Sequence, residues 1–129
     1  MLATPQIKVK KVAQTRIHEV DFSDIPFGKV YSDHMVIADY TGGEWTNISI
    51  IPYDSLKLMP GCSCLHYGQS IFEGLKAYRT QTGEILAFRP WDNHKRMNIS
   101  AERMCMPSIP EDMFIGGIKE LLNLDRDWI

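Results

Sequence analysis

Hydrophobic and polar positions in the first half of the chain change places over short distances, the pattern of half-buried strands. His34 to Tyr40 is one β-rich run and Trp45 to Ile51 a second, with Thr41-Gly42-Gly43 supplying turn chemistry between them. This spacing predicts an antiparallel hairpin. Pro52 and the Met59-Pro60-Gly61 cluster then break the chain. Two more strands are predicted over Leu75 to Tyr78 and Ile85 to Arg89, joined by Arg79-Thr80-Gln81-Thr82-Gly83-Glu84. In the first of them Leu75 and Ala77 face one side, Lys76 and Tyr78 the other.

After Arg89 the period lengthens. Pro90 suits the first turn of a helix, where its missing N–H costs nothing. Trp91, His94, Met97, Ala101 and Met104 recur at intervals of three or four, a helical stripe that Pro107 stops. Pro110, Glu111 and Asp112 open a second helix, its acidic residues lying near the positive end of the dipole. Phe114, Ile118, Leu121 and Leu122 supply its buried face. Strands followed by helices predict an α+β domain with an antiparallel sheet and helices packed on one side. Residues 1–26 read as an N-terminal arm with one short strand around Ile7 and Val9, and residues 27–129 as the domain proper. The chain closes on Trp128-Ile129 directly after an apolar helix, which reads as a cut inside a longer protein.

Composition changes this picture little. With 129 residues, 44% of them hydrophobic and 23% charged, the chain is an ordinary globular domain with one modest core. A net charge of -2 predicts no nucleic-acid partner and no attraction to anionic lipid. No apolar run approaches the roughly 18 residues of a membrane span. Cys62, Cys64 and Cys105 are an odd set, which favours a reducing cytoplasm over a disulfide framework. Cys62-x-Cys64 is too close for the usual zinc pair, so no metal site is expected.

The candidate chemistry lies between Leu65 and Met106. LHYGQSIFEG sets Tyr67 and Phe72 five residues apart, beside Gly68 and Gly74. FRPWDNHKRM turns out of a strand, through Pro90, into a helix that carries Arg96. A guanidinium is always charged and offers a planar fork suited to phosphate oxygens. Taken by themselves, Arg96 reads as a solvated helix arginine and the two aromatics as core residues of a turn. Glu73 and His66 read as structural, the first as an acceptor for backbone N–H groups in its turn.

These motifs, in this order, resemble the small N-terminal domain of the branched-chain amino acid aminotransferases, fold-type IV enzymes that use pyridoxal 5′-phosphate (PLP). The resemblance covers roughly Pro26 to Ile129. It extends to the C-x-P of Met104-Cys105-Met106-Pro107, while Gly68 stands where some members carry serine. It implies that Arg96, matching the arginine of F-R-P-W-x-N-x-x-R-M, binds the cofactor phosphate. It implies that Tyr67 and Phe72, with Phe27 of FGKVYSDHM, wall the pocket for an aliphatic substrate side chain. The implied reaction moves an amino group between leucine, isoleucine or valine and 2-oxoglutarate, in a cytoplasmic homodimer.

In that family the lysine that carries the cofactor belongs to a large C-terminal domain, and no segment here resembles its surroundings. The resemblance therefore assigns this chain no catalytic residue, and the segment alone is expected neither to transaminate nor to hold PLP tightly. Two alternatives stay open on the residues: a fold-type IV relative (a D-amino acid aminotransferase or aminodeoxychorismate lyase), or a non-catalytic dimerisation or binding module. The apolar set Phe27, Tyr67 and Phe72 argues against the polar substrates of the first.

Overall fold

A computed structural model describes residues 6–129, so the first five positions of the predicted arm lie outside the described residues. The hairpin forms where the hydrophobic pattern puts it. β2 runs over His34–Thr41 and β3 over Glu44–Pro52, antiparallel, with Thr41 opposite Glu44. The turn residues Gly42 and Gly43 have φ of 66° and 90°. Two successive left-handed residues match the twist of the flanking strands and carry no penalty on glycine. A register shift lies between Ile37 and Asp39, opposite Asn47 at φ 52°. Asparagine tolerates this left-handed geometry, so the extra residue of a β-bulge falls on it.

The short strand of the arm is present as β1, Lys8–Val9, and it pairs in parallel with Ser49 and Ile50 of β3. The three-stranded sheet, in order β1-β3-β2, is therefore mixed rather than purely antiparallel. A one-turn helix, α1, follows at Ser63–His66. A separate antiparallel ribbon comes next, β4 over Ala77–Arg79 and β5 over Ile85–Ala87. Both strands differ from the sequence expectation. The first does not begin at Leu75, because in this register (Ala77 opposite Ala87) its partner would be Arg89, where the other strand has already turned away. The second stops before Phe88, because Arg89 adopts a left-handed conformation (φ 49°) that bends the chain sharply into a helix.

That helix, α2, spans Pro90–Arg103 and ends earlier than Pro107. Cys105, at φ 53°, closes it: its N–H donates to the Glu102 carbonyl at 3.1 Å and the Met106 N–H to the Ala101 carbonyl at 2.8 Å. This pair of bonds satisfies carbonyls that the last turn would leave orphaned. Pro90, His94 and Ala101 form its buried face, while Trp91, expected in that stripe, is half exposed. Buried His94 donates its Nε2–H to the Ile109 carbonyl (2.7 Å), and Asn98 brackets Ile109 with bonds to both its carbonyl and its N–H.

The last helix, α3, covers Glu111–Leu124. It packs on β2 and β3 and also touches α2, so the helices lie on one side of the sheet. This is the α+β arrangement the element order predicts. Ile48, Ile50, Ala101 and Met113 make up the buried hydrophobic core. Met113 and Gly117 are the most buried residues of α3; Phe114, Ile118, Leu121 and Leu122 are half-buried around them. A Cβ on Gly117 would stand 3.3 Å from Val36 Cγ1, so glycine is what lets helix and sheet approach so closely.

A polar cluster joins the two ends of the described chain. His34 Nε2 accepts the Val12 N–H at 3.0 Å, which leaves Nδ1 to carry the ring hydrogen and donate to Asp125 Oδ1 at 2.5 Å. The His34 N–H donates to Asp125 Oδ2 at 3.0 Å. Neighbouring Asp33 accepts the Arg16 N–H (3.0 Å) and the Trp128 indole N–H (3.1 Å). Burial pushes the Asp33 carboxyl up, but bonds from Thr15, Arg16 and Trp128 outweigh it and leave it below the ordinary value. Both histidine nitrogens are occupied, so this buried pair is an anchor rather than a reactive dyad. Among the described residues no helix is long and apolar enough to cross a membrane.

Candidate functional site

The segment Leu65–Gly74 is laced along α2 by side-chain bonds. Gln69 Nε2 donates to the Met104 carbonyl at the end of the helix, at 2.9 Å. Glu73 meets Arg96 in the middle, and Asn93 Nδ2 bonds both Glu73 Oε1 (3.1 Å) and the Gly74 carbonyl (3.0 Å) nearer its start. The distances agree: eight helical residues rise about 12 Å, and four extended residues from 69 to 73 reach about 13 Å. The motif and the helix therefore run antiparallel to one another, and Arg96 is fixed beside the residue that follows Phe72.

At the centre is a two-pronged ion pair. Arg96 Nε donates to Glu73 Oε2 at 2.7 Å, and Nη2 donates to Glu73 Oε1. The Glu73 side chain is 6% exposed and that of Arg96 is 68% exposed. Glu73 Oε1 also accepts the N–H of Gly74 at 2.9 Å, the structural role its turn predicts. The Arg96 guanidinium is the main reason that the Glu73 carboxyl is pulled from its ordinary 4.5 to about 2. Burial opposes the shift, and the Asn93 and Gly74 donors add to it.

This lowered value sets a pH window. The unfolded chain takes up the proton on Glu73 at a higher pH than the folded chain does. The stabilisation from the contact is complete above about pH 4.5 and is lost as pH falls from there through about 2. Thermal unfolding of the wild-type chain and of Glu73→Gln, followed against pH, is expected to give curves that converge over that window. Curves that stay parallel down to pH 2 would remove this role for Glu73.

Beside the pair lies an open cleft of about 400 Å³ lined by Phe88, Arg89, Asp92, Asn93 and Arg96. Arg89 Nη2 rests 2.5 Å from Asp92 Oδ2 within the same turn of chain. Two guanidinium groups and an amide thus border one cavity. Phe27, Tyr67 and Phe72 do not line it; they are 103%, 84% and 92% exposed. Phe72 is linked to Arg96 only through its neighbour Glu73. The Arg96–Glu73–Asn93 unit and Arg89 were not singled out together from the sequence. Asn93 and Arg96 stand three apart on one helix, hence on one face, and that spacing was the signal.

His66, read as structural, makes a 2.6 Å contact from Nε2 to the Pro60 carbonyl. Cys62 and Cys64 place their sulfurs 3.4 Å apart and are free, as is Cys105. Among the described residues no group of three or more His, Cys, Asp or Glu side chains gathers as a metal site.

The known proteins that the chain matches are aminotransferases. The chain is related to the branched-chain-amino-acid aminotransferases and corresponds to their N-terminal part. It is 45% identical over 118 residues to the branched-chain-amino-acid aminotransferase of Mycolicibacterium smegmatis, covering 91% of this chain and 32% of that protein. It is 40% identical over 120 residues to branched-chain-amino-acid aminotransferase 2 of Bacillus subtilis, covering 92% and 33%. With branched-chain-amino-acid transaminase 1 of the same organism it shares 46% identity over 110 residues, covering 84% and 31%. The chain thus spans about a third of the length of the curated relatives it matches. No protein-family model matches it. A relative with polar substrates or a non-catalytic module is not favoured by these matches.

Proposed function

We propose that this segment is the small N-terminal domain, residues 27–129 behind an arm of residues 1–26, of a fold-type IV branched-chain amino acid aminotransferase. The enzyme would exchange an amino group between leucine, isoleucine or valine and 2-oxoglutarate. The observation that carries the reading is the state of Arg96. Glu73 occupies its Nε–Nη2 edge and leaves the end-on edge, both Nη1 hydrogens and one on Nη2, to a ligand. That open fork, with Arg89 beside it, fits the oxygens of a phosphate monoester; Asn93 has both Nδ2 hydrogens committed to Glu73 and Gly74 and only braces the pair. Arg96 would hold the phosphate of PLP. Bound there, PLP supplies the electron sink that amino-group transfer needs.

The chain's own residues would do three further things. Phe27, Tyr67 and Phe72 would bury an aliphatic side chain, each methylene contributing about 0.8 kcal/mol. Such a wall separates leucine, isoleucine and valine from charged amino acids far better than from one another. The same side chains would keep water from the reacting end of the substrate. Their near-complete exposure supports a role as a wall that other protein surface completes. A cytoplasmic homodimer is the assembly in which we place it, a setting that suits three free cysteines. By this reading the 129-residue chain alone keeps no PLP through dialysis.

The test is an assay of the enzyme that carries this segment. Leucine with 2-oxoglutarate is expected to give glutamate, with D-alanine slower by a factor of at least about 100, the scale of a pocket built for another shape. Equal or greater turnover of D-alanine would reject the assignment.

A further inference from the structure

We infer that Glu73 is the positioning residue for the cofactor phosphate, clamping Arg96 side-on so that its end-on fork faces the ligand. This rests on the reading of Arg96 given above and deepens it. A free arginine has many rotamers, and a long side chain 68% exposed on a helix has little packing to choose among them. Here the choice is made by a carboxylate that is itself fixed. Glu73 is nearly buried, and three further bonds hold its surroundings: Gly74 N–H to Oε1, Asn93 Nδ2 to Oε1, and Asn93 Nδ2 to the Gly74 carbonyl. The guanidinium plane is thereby set by two points, and a planar fork fixed at two points has its remaining donors aimed.

Glu73 has two opposed effects on an anion at Arg96. Its negative charge weakens the attraction, and its clamp supplies the orientation. The guanidinium between Glu73 and the anion is 68% exposed and meets the carboxylate on a different edge, which weakens the charge effect, whereas loss of the clamp frees the whole side chain. Orientation is therefore the larger effect, and removing Glu73 weakens phosphate binding instead of strengthening it.

The experiment uses the transaminase that carries this segment and compares PLP with pyridoxal, which lacks the phosphate. Dissociation constants for both are measured in the wild type, Glu73→Gln, Glu73→Asp and Arg96→Ala. In Glu73→Gln the preference for PLP is expected to fall on the order of tenfold, the scale at which supporting groups tune the ligands they orient. Pyridoxal affinity stays within about twofold and reports that the site is folded. Glu73→Asp keeps the charge but falls one methylene short, so its preference falls too; it carries the test if the glutamine variant does not fold.

An unchanged or increased PLP preference in the Glu73 variants, beside a collapsed preference in Arg96→Ala, overturns the inference alone. An undiminished preference in Arg96→Ala overturns the reading of Arg96, and this inference with it.

Discussion

Replacing Arg96 with alanine is expected to weaken PLP binding by about tenfold to a hundredfold in the enzyme that carries this segment. The lost bond is charge-assisted, and such bonds contribute roughly 1.5–3 kcal/mol, which is about one to two powers of ten in affinity. A second cost falls on the fold. Glu73 is 6% exposed and would keep its charge with Asn93 and Gly74 as its remaining donors. Glu73 is the nearly buried partner, so leaving its charge without Arg96 costs more than removing both charges. The double variant Arg96→Ala with Glu73→Gln should therefore recover thermal stability relative to Arg96→Ala while PLP binding stays weak. Equilibrium dialysis and thermal unfolding on the same preparations separate the two effects. Full cofactor affinity in either variant would contradict the assignment.

The largest expected loss of stability comes from Asp125→Ala, far from the cleft. Asp125 accepts the backbone N–H and the Nδ1–H of His34 in a buried setting. Alanine leaves both donors without an acceptor, at about 1–3 kcal/mol each. A domain of this size should then unfold roughly 10 °C lower or more. Asp125→Asn keeps one acceptor oxygen and should lose about half as much. A change of less than 1–2 °C in Asp125→Ala would mean that the cluster contributes little to holding α3 against β2.

These two sites differ in how far the sequence foretold them. The hairpin, the ribbon and both long helices follow from periodicity, because alternation and a three-to-four spacing are local consequences of burying one face. Their ends do not. Arg89 and Cys105 take left-handed conformations that their residue types do not announce, and these decide where β5 and the end of α2 fall. Parallel pairing of β1 is a contact across some forty residues, which no local pattern encodes. Arg96 and the three aromatics were legible as a motif only through their resemblance to a family. The partnership of Arg96 with Glu73 and Asn93 is not legible in the sequence, since the two segments meet only when the strand-to-helix turn folds one back along the other.

His34 shows the same limit from the other side. It opens a predicted strand, and nothing in the sequence pairs it with Asp125, 91 positions away.

The most direct measurement is a structure of the enzyme with PLP bound. Arg96 should keep Nε on Glu73 while Nη1 and Nη2 donate to phosphate oxygens at about 2.7–2.9 Å. A phosphate held elsewhere, with Arg96 still turned into solvent, would contradict the account.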